Sequence, residues 1–411
     1  MPRRRLPPPA IVISVALIAA ALARVPALTD PTGAPLPPGL SLHAPPLYVV
    51  LAPLFATWDG ITLLGMARLK GFLWGIALAV VLWRAWRWRK QQGTTGQRLL
   101  HNLSALSIFS VLFVAYVFVG LTWHRPMLAL RGTGPDQIVV DLHSHTNVSH
   151  DVQGTLMRGY DAAANRRWHG RAGFDAFFVT DHNTTAGWRA DPTPDASPRL
   201  CRGIEVSAWK AHIVLLGDTT DVNRALYDDG VGGVLALLRN SQAEYGALAV
   251  ASLPEYDRAL WASRDSLVAA GVAGFEIVNA SPKAADFAPA HRDSIIALAK
   301  AHRLFVAGVS DSHGWGATSL AWTLITIPGW RQLADPCPAI LSVLGTPRDL
   351  VQVVERTHLT RESRWPMVLT PLGVLWVTWQ TQGWMLTLSW LAWTWVIALL
   401  LPRFSRRKTE P

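Results

Sequence analysis

Histidine and carboxylate residues follow short apolar runs in the middle of this sequence. The run 137–142 leads into His143 and His145, the run 174–180 into Asp181 and His182, and the run 305–309 into Asp311 and His313. Side chains two positions apart on a strand share a face, so His143 and His145 can hold one ion. Buried charge at a strand end is costly unless it is paired or bound to a cation. The pattern therefore predicts a divalent metal site where strand ends meet.

Two further residues extend this set. Glu205 lies inside the apolar run 204–207, where an uncompensated carboxylate would be costly, and His212 opens the next run. Mixed imidazole and carboxylate ligands suit zinc, manganese or iron, and we expect two to three divalent ions.

Three carboxylates are expected to take part in catalysis: Asp181, Glu205 and Asp311. Two metal ions that activate water and offset charge on substrate oxygens would supply the hydrolytic chemistry. Asp181, next to His182, is expected to orient an imidazole that binds metal, without binding the metal itself.

The elements that position these residues alternate between strand and helix patterns. Apolar, β-rich runs predict seven strands, and helix-like stretches such as 233–239 and 292–302 lie between them. Several runs are almost continuously apolar, as in parallel strands buried on both faces. This pattern predicts an α/β domain, a (β/α) barrel of about seven strands, over residues 136–346. The predicted strands are 137–142, 174–180, 204–207, 212–216, 247–251, 274–278 and 305–309.

The motifs in this order resemble the PHP family, which is named after polymerase-associated and histidinol phosphatase domains. The matching residues are His143-Ser-His145, Thr180-Asp181-His182-Asn183, Gly203-Ile-Glu205 with His212, and Ser310-Asp311-Ser312-His313-Gly314. The resemblance covers about 200 residues and implies a distorted (β/α)7 barrel of PHP type that hydrolyses phosphoester-type substrates.

The resemblance also implies how the ligands are shared. One ion would be held by His143, His145, Glu205 and Asp311, and Glu205 would bridge to a second ion that His212 also binds. A third ion would use His182, His313 and either His150 or Asp151.

One position departs from the family. A histidine before a proline is common there, but this chain reads Ser252-Leu253-Pro254. We therefore predict weak binding of the second ion and fewer than three tightly bound ions, with a histidine at position 253 raising the metal content.

Apolar segments flank the middle domain on both sides. Hydrophobic residues make up 50% of the 411 residues and charged residues 16%, below the roughly 25% of soluble proteins. We predict a membrane region over 1–135 with three to four transmembrane helices, and a second over 347–411 with one to two. The candidate spans are 10–28, 47–66, 72–83, 104–123, 367–379 and 384–401.

The side of the membrane on which the middle domain lies depends on how many candidates cross. If all six candidates cross, the middle domain lies in the cytoplasm together with the basic termini. If one candidate on each side of the domain does not cross, the domain lies outside the cytoplasm and the basic loop 84–98 lies in it. The positive-inside tendency favours the second arrangement, in a multi-pass protein of a bacterial inner membrane. Cys201 and Cys337 allow one disulfide or none; they lack ligand spacing, and we expect two ordinary thiols.

Charge is distributed unevenly along the chain. The net charge is +10, yet residues 136–335 hold 17 Lys and Arg against 22 Asp and Glu. The basic residues therefore belong to the flanks that meet the lipid bilayer, which argues against stable nucleic-acid binding. The leading hypothesis is a membrane-anchored phosphoesterase acting on a small phosphorylated or nucleotide-like substrate or an oligonucleotide end, in the manner of a 5'-3' exonuclease. The alternatives are a metal-dependent hydrolase of carboxylic, carbamate or amide esters and a non-catalytic ligand sensor.

Overall fold

The computed structural model describes residues 8–157, 159–254, 260–346 and 350–406, with side chains up to residue 400. Within these residues, ten strands form one curled sheet in the order β1-β12-β11-β4-β5-β6-β7-β8-β9-β10, and β2 pairs with β3. The strands are Leu28–Thr29 (β1), Ser41–His43 (β2), Ala129–Arg131 (β3), Gln137–Asp141 (β4), Ala176–Val179 (β5), Arg199–Ala208 (β6), Ala211–Leu216 (β7), Leu248–Ala251 (β8), Gly274–Asn279 (β9), Phe305–Val309 (β10), Ala321–Thr326 (β11) and Val351–Arg356 (β12).

All seven predicted strands are present as β4 to β10, and they are neighbours in the sheet. Their direction differs from the expectation of parallel strands, because β7 is antiparallel to both β6 and β8. The cause is the two-residue connection between β6 and β7, since a parallel neighbour would need a long crossover. The other six strands share one direction, so their carboxyl ends lie at one rim of the sheet.

The sheet curls so that the segments following β4 and β10 meet at this rim. Beyond β4 and β10, the Asp311 amide donates to the His143 carbonyl and the His145 amide donates to the Ser312 carbonyl, each at 2.9 Å. Three strands outside the predicted set, β11, β12 and β1, extend the sheet beyond β4 by antiparallel pairing. Two of them, β1 and β12, come from the segments that flank residues 136–346.

Side-chain alternation divides the apolar residues between the two faces of the sheet. Ile204 and Val206 of β6 pack with the outer helices, whereas Val214 and Leu216 of β7 pack inside the curl. Period-two alternation then turns Glu205 of β6 inward, into the space enclosed by the sheet. The same alternation turns Ser207 of β6 and its partner His212 of β7 towards the site described below, whereas Arg202 faces outward.

Helices cover the outside of the sheet and build the flanks. Within the described residues, the α-helices are Pro8–Leu22, Pro46–Val50, Ala52–Thr62, Met66–Trp88, Thr95–Thr122, His150–Gln153, Ala162–Ala172, Ala186–Arg189, Gly230–Tyr245, Arg264–Ala269, Pro289–His302, Cys337–Leu344, Thr370–Thr381 and Trp384–Arg406.

Two of the described helices, Met66–Trp88 and Thr95–Thr122, are long and apolar enough to cross a membrane. Helices Pro8–Leu22 and Trp384–Leu400 are apolar but shorter. The predicted span 47–66 is instead two short helices that enclose a fully buried Asp59, and the span 367–379 falls in a 12-residue helix. A buried carboxylate is paired here with Arg125 at 2.5 Å and Arg356 at 3.1 Å, which suits a protein interior rather than lipid.

The two cysteines are not the free thiols that the sequence led us to expect. Cys201 in β6 and Cys337 at the start of the helix Cys337–Leu344 form a disulfide, with Cα atoms 5.6 Å apart. The bond fastens this helix beneath the enclosed apolar core, at the rim opposite the carboxyl ends of the parallel strands.

Candidate metal centre

The carboxyl rim of the curled sheet gathers eight of the nine predicted ligands. Seven of the eight, all except Asp311, form overlapping clusters in which the imidazole nitrogens and carboxylate oxygens lie within 4.8 Å of one another. These clusters are His143, His145 and Glu205; His182, Glu205 and His212; and His145, Asp151, His182 and His313.

The innermost group lies around Nε2 of His143. This nitrogen is 3.1 Å from Nε2 of His145, 3.2 Å from the Glu205 carboxylate and 3.4 Å from the Asp311 carboxylate. Asp311 is also 3.1 Å from Nε2 of His145. Glu205 and Asp311 thus both lie close to the Nε2 atoms of His143 and His145, the residues that the resemblance assigns to the first ion.

The second group differs from the expected pair of ligands. Nδ1 of His212 lies 2.6 Å from Glu205, and Nδ1 of His182 lies 3.2 Å from the same carboxylate. His182 therefore stands beside both the second and the third group, which gives the second group three protein side chains instead of two.

The outer group selects between the two alternatives left open after the first motif. Asp151 lies 2.6 Å from Nε2 of His313 and 3.2 Å from Nε2 of His182. His150 is exposed and belongs to none of the clusters, and its ring is tilted against that of His182, with the ring centroids 4.7 Å apart. Asp151 is thus the carboxylate that the structure brings into the site.

Glu205 gives the clearest test of whether these residues fit a metal. It is 1% exposed, and four histidine ring nitrogens lie between 2.6 and 3.3 Å from its oxygens. None of these nitrogens is aligned with a Glu205 oxygen as in a hydrogen bond. A buried carboxylate without well-aligned donors is costly, and a bound cation would remove that cost. The donor set therefore fits divalent ions.

The electrostatics favour the deprotonated forms of the carboxylates and of His145, whereas neighbouring carboxylates outweigh burial and raise the pKa of His143, His182 and His313. Burial alone raises the pKa of Glu205, but the surrounding histidines, His212 foremost, outweigh it and hold the pKa well below its ordinary value. Burial, reinforced by the charge of His313, lowers the pKa of His145 to about 4. Ionised carboxylates and a neutral imidazole are the forms that bind metal.

The backbone at this rim is bent unusually to present its side chains. Asp311 has φ 45° and Asn183 has φ 56°, a left-handed conformation that aspartate and asparagine tolerate better than most residues. Both positions lie within two residues of a candidate ligand, and such strain is common at functional sites.

A buried carboxylate that the sequence analysis missed, Glu276 of β9, supports the site. Its Oε1 accepts a 2.7 Å hydrogen bond from Nδ1 of His143, and its Oε2 accepts bonds from Ser252 at 2.6 Å and Asn279 at 3.0 Å. A proton on Nδ1 leaves Nε2 of His143 free to face the cluster. The argument used for Glu205, a charged residue inside an apolar strand, applied equally to Glu276.

Asp181 takes a different place from the one expected. Its carboxylate accepts bonds from the Thr146 amide at 2.6 Å and the Thr146 hydroxyl at 2.7 Å, and not from the ring of His182. Burial raises its pKa to about 6. Asp181 therefore fixes the loop that follows His145, because Thr146 occupies both of its oxygens.

The departure at 252–254 also has a structural explanation. Leu253 is fully buried in the outer apolar core, so a histidine there would enter the core and not the rim, contrary to our expectation. The polar residue beside it, Ser252, donates to Glu276.

No protein-family model and no curated protein matches the sequence. Several solved structures align with part of the chain. A candidate metal-dependent phosphoesterase from Bifidobacterium adolescentis aligns at 16% identity and a TM-score of 0.36, over 50% of this chain and 96% of that one. PsfC from Pseudomonas syringae aligns at 18% identity and a TM-score of 0.36, over 58% of this chain and 96% of that one. An amidohydrolase from Chromobacterium violaceum, with bound sulfate and no metal, aligns at 18% identity and a TM-score of 0.30, over 47% of this chain and 95% of that one. Likenesses this weak carry no argument about the reaction, so its interpretation rests on the side-chain geometry.

Proposed function

We propose that this chain is a metal-dependent phosphoesterase with a distorted (β/α)7 barrel of PHP type, acting on a phosphomonoester, a nucleotide or an oligonucleotide end. The observation that carries the proposal is Glu205, a buried carboxylate whose oxygens lie 2.6–3.3 Å from four histidine ring nitrogens, none of which is aligned with it as in a hydrogen bond. The seven consecutive strands and the contact between the ends of β4 and β10 support the barrel.

The proposed roles follow from the distances. His143, His145, Glu205 and Asp311 would hold the first ion, Glu205 with His182 and His212 the second, and Asp151 with His313 and the neighbouring histidines the third. When bound, divalent cations would supply the Lewis acidity that acidifies water and offsets charge on the oxygens of the scissile bond. Glu276 and Asp181 position this machinery by fixing His143 and Thr146.

We further propose that the two long apolar helices anchor the chain in a membrane. In the most apolar stretch of Thr95–Thr122 only 6% of the residues are buried, and in that of Met66–Trp88 only 22%, whereas the core helix of a soluble protein would be mostly covered. The full-length chain should remain in the membrane fraction after carbonate washing.

The proposed location of the barrel is extracytoplasmic. The Cys201–Cys337 disulfide suits an oxidising compartment. With Met66–Trp88 and Thr95–Thr122 as a hairpin, the basic loop between them faces the cytoplasm, in line with the positive-inside tendency. A green fluorescent protein fused after Gly134 should stay dark, and cytoplasmic fluorescence would contradict this location.

Parallel assays test the reaction. Full-length protein with bound metal is given a phosphomonoester, a phosphodiester and an aryl carboxylic ester, and a Glu205→Gln variant serves as the inactive control. We expect turnover of a phosphoester that the variant lacks. Turnover of the carboxylic ester alone would replace the proposed reaction, and inactivity on all three would favour a ligand sensor.

A further inference from the structure

We call the helix Met66–Trp88 the first span and the helix Thr95–Thr122 the second span. The first span begins at the rim that carries the candidate metal ligands. The amide of Met66 donates to the carbonyl of Pro282 at 2.8 Å, and the amide of Ala67 donates to the carboxylate of Asp286 at 2.8 Å. Both acceptors follow β9, whose carboxyl end lies on the same rim as His143 and Asp311. The guanidinium of Arg68 adds bonds to four backbone carbonyls in the segment after β12, which leaves the sheet at this rim as well.

The second span, Thr95–Thr122, ends at the same rim. Gly316 packs so closely against Leu121 that a Cβ atom on the glycine would lie 2.9 Å from the Leu121 Cα. The ring of His124 contacts that of Trp315 in a tilted arrangement, with centroids 4.0 Å apart. Trp315 follows the candidate ligand His313 by two residues, so the end of this helix is fixed beside the metal cluster.

The cluster opens towards this side. Among its members, His313 and Asp151 are the most exposed, with 36% and 30% of their side chains accessible, whereas Glu205, His143 and His145 are fully buried. Leu156, in the loop after Asp151, is 64% exposed, and its neighbour Met157 packs on Gly314. The mouth of the site is thus bordered by an exposed apolar side chain and by Trp315.

The mouth has the composition of a surface that meets lipid headgroups. Trp123, directly after the second span, is 42% exposed, and the guanidinium of Arg167 lies 5.7 Å from the centre of the Trp315 ring. Tryptophan and cationic side chains concentrate at membrane interfaces. Because both spans meet the domain at one rim, a bilayer that accommodates them brings its surface to the mouth of the metal cluster.

We infer that the substrate of this site is a lipid phosphoester, whose head enters the metal cluster while its acyl chains remain in the bilayer. This inference rests on the proposed function and names its substrate class. Lipid delivered in this way is concentrated at the rim and oriented with its phosphate towards the site. A nucleic acid would have to approach through the space between an acidic domain and a bilayer surface, where like charges repel it.

The position of the rim can be tested without any reaction. Leu156→Cys lies at the mouth, and Leu333→Cys is the matched control: it is 43% exposed and follows β11 at the opposite rim, where the Gly329 amide donates to Asp136. Each variant is labelled with bimane, since the native cysteines are joined, and placed in phosphatidylcholine vesicles containing doxyl-labelled lipid. We expect strong quenching at position 156 and little at position 333; equal quenching or the reverse would overturn the inference.

The substrate class is tested with esters that differ only in their acyl chains. Metal-loaded, full-length protein in phosphatidylcholine vesicles is given phosphatidic acid or glycerol 3-phosphate, and phosphatidylglycerol or glycerophosphoglycerol. We expect kcat/KM at least roughly tenfold higher for one lipid than for its soluble counterpart, a difference of about 1.4 kcal/mol in the barrier. Equal or faster cleavage of the soluble ester would overturn the lipid inference and leave the phosphoesterase standing. Failure to cleave either lipid would overturn the lipid inference, whereas the phosphoesterase itself stands or falls with the phosphomonoester and phosphodiester assays described above.

Discussion

Glu276→Gln should weaken metal binding although Glu276 lies outside the three clusters. The carboxylate is 1% exposed and accepts a charge-assisted bond from His143, along with two bonds on its other oxygen. A glutamine can still accept from His143, but its amide group then faces Ser252 and Asn279, which are both donors. Loss of such a supporting carboxylate typically costs roughly 10- to 100-fold in metal affinity, which is about 1.4–2.8 kcal/mol.

Titration calorimetry with Zn²⁺ or Mn²⁺ on full-length protein measures this loss. Glu244→Gln, an exposed position on the helix Gly230–Tyr245, is the matched control and should bind like the wild type. Circular dichroism checks that each variant is folded, and Ser252→Ala, which removes one donor to Glu276, should give a smaller loss in the same direction. Wild-type affinity in a folded Glu276→Gln variant would refute the reasoning that His143 depends on Glu276.

Three other perturbations have defined outcomes. Asp311→Asn keeps a side chain that tolerates φ 45° but removes a ligand charge, so hydrolysis should fall by roughly 100-fold or more at unchanged thermal stability; normal turnover would exclude Asp311 from the site. Asp59→Ala leaves two buried arginines without their carboxylate and should cost about 3–5 kcal/mol in unfolding experiments in detergent; a loss below 1 kcal/mol would mean that the pair is dispensable. Burial alone would lower the pKa of His313, but Asp311 and Asp151 outweigh it and raise it to about 9, so metal must displace a proton at neutral pH. Apparent metal affinity should therefore rise with pH up to about 9, and a flat profile would contradict that coupling.

Much of the fold was predictable because its strands are short apolar runs that end in polar side chains. The direction of β7 was missed, although the connection Trp209-Lys210 contained the signal, because two residues can only join antiparallel neighbours. The added strands β11, β12 and β1 could not be placed, since nothing local in a short strand says which sheet edge it joins. Pairing of Cys201 with Cys337 across 136 positions likewise depends on the folded chain.

The candidate site was predictable to a similar degree. The residue types and their positions at strand ends indicated the cluster, and the structure brings all of them together except His150, which is exposed, and Asp181, which bonds to Thr146. The sharing of His182 between two groups could not be foreseen, because it depends on distances of a few ångströms across the rim. Glu276 was open to prediction by the same physical argument as Glu205.

The central claim is that the clustered histidines and carboxylates hold divalent metal. Elemental analysis of purified full-length protein, after dialysis against metal-free buffer, tests it most directly, with Glu205→Gln analysed in parallel. Because Glu205 belongs to two of the three clusters, we predict roughly two or more equivalents in the wild type and less than about one in the variant. Absence of metal from the wild type after loading with Zn²⁺, Mn²⁺ or Fe²⁺, or equal retention by both proteins, would contradict the claim.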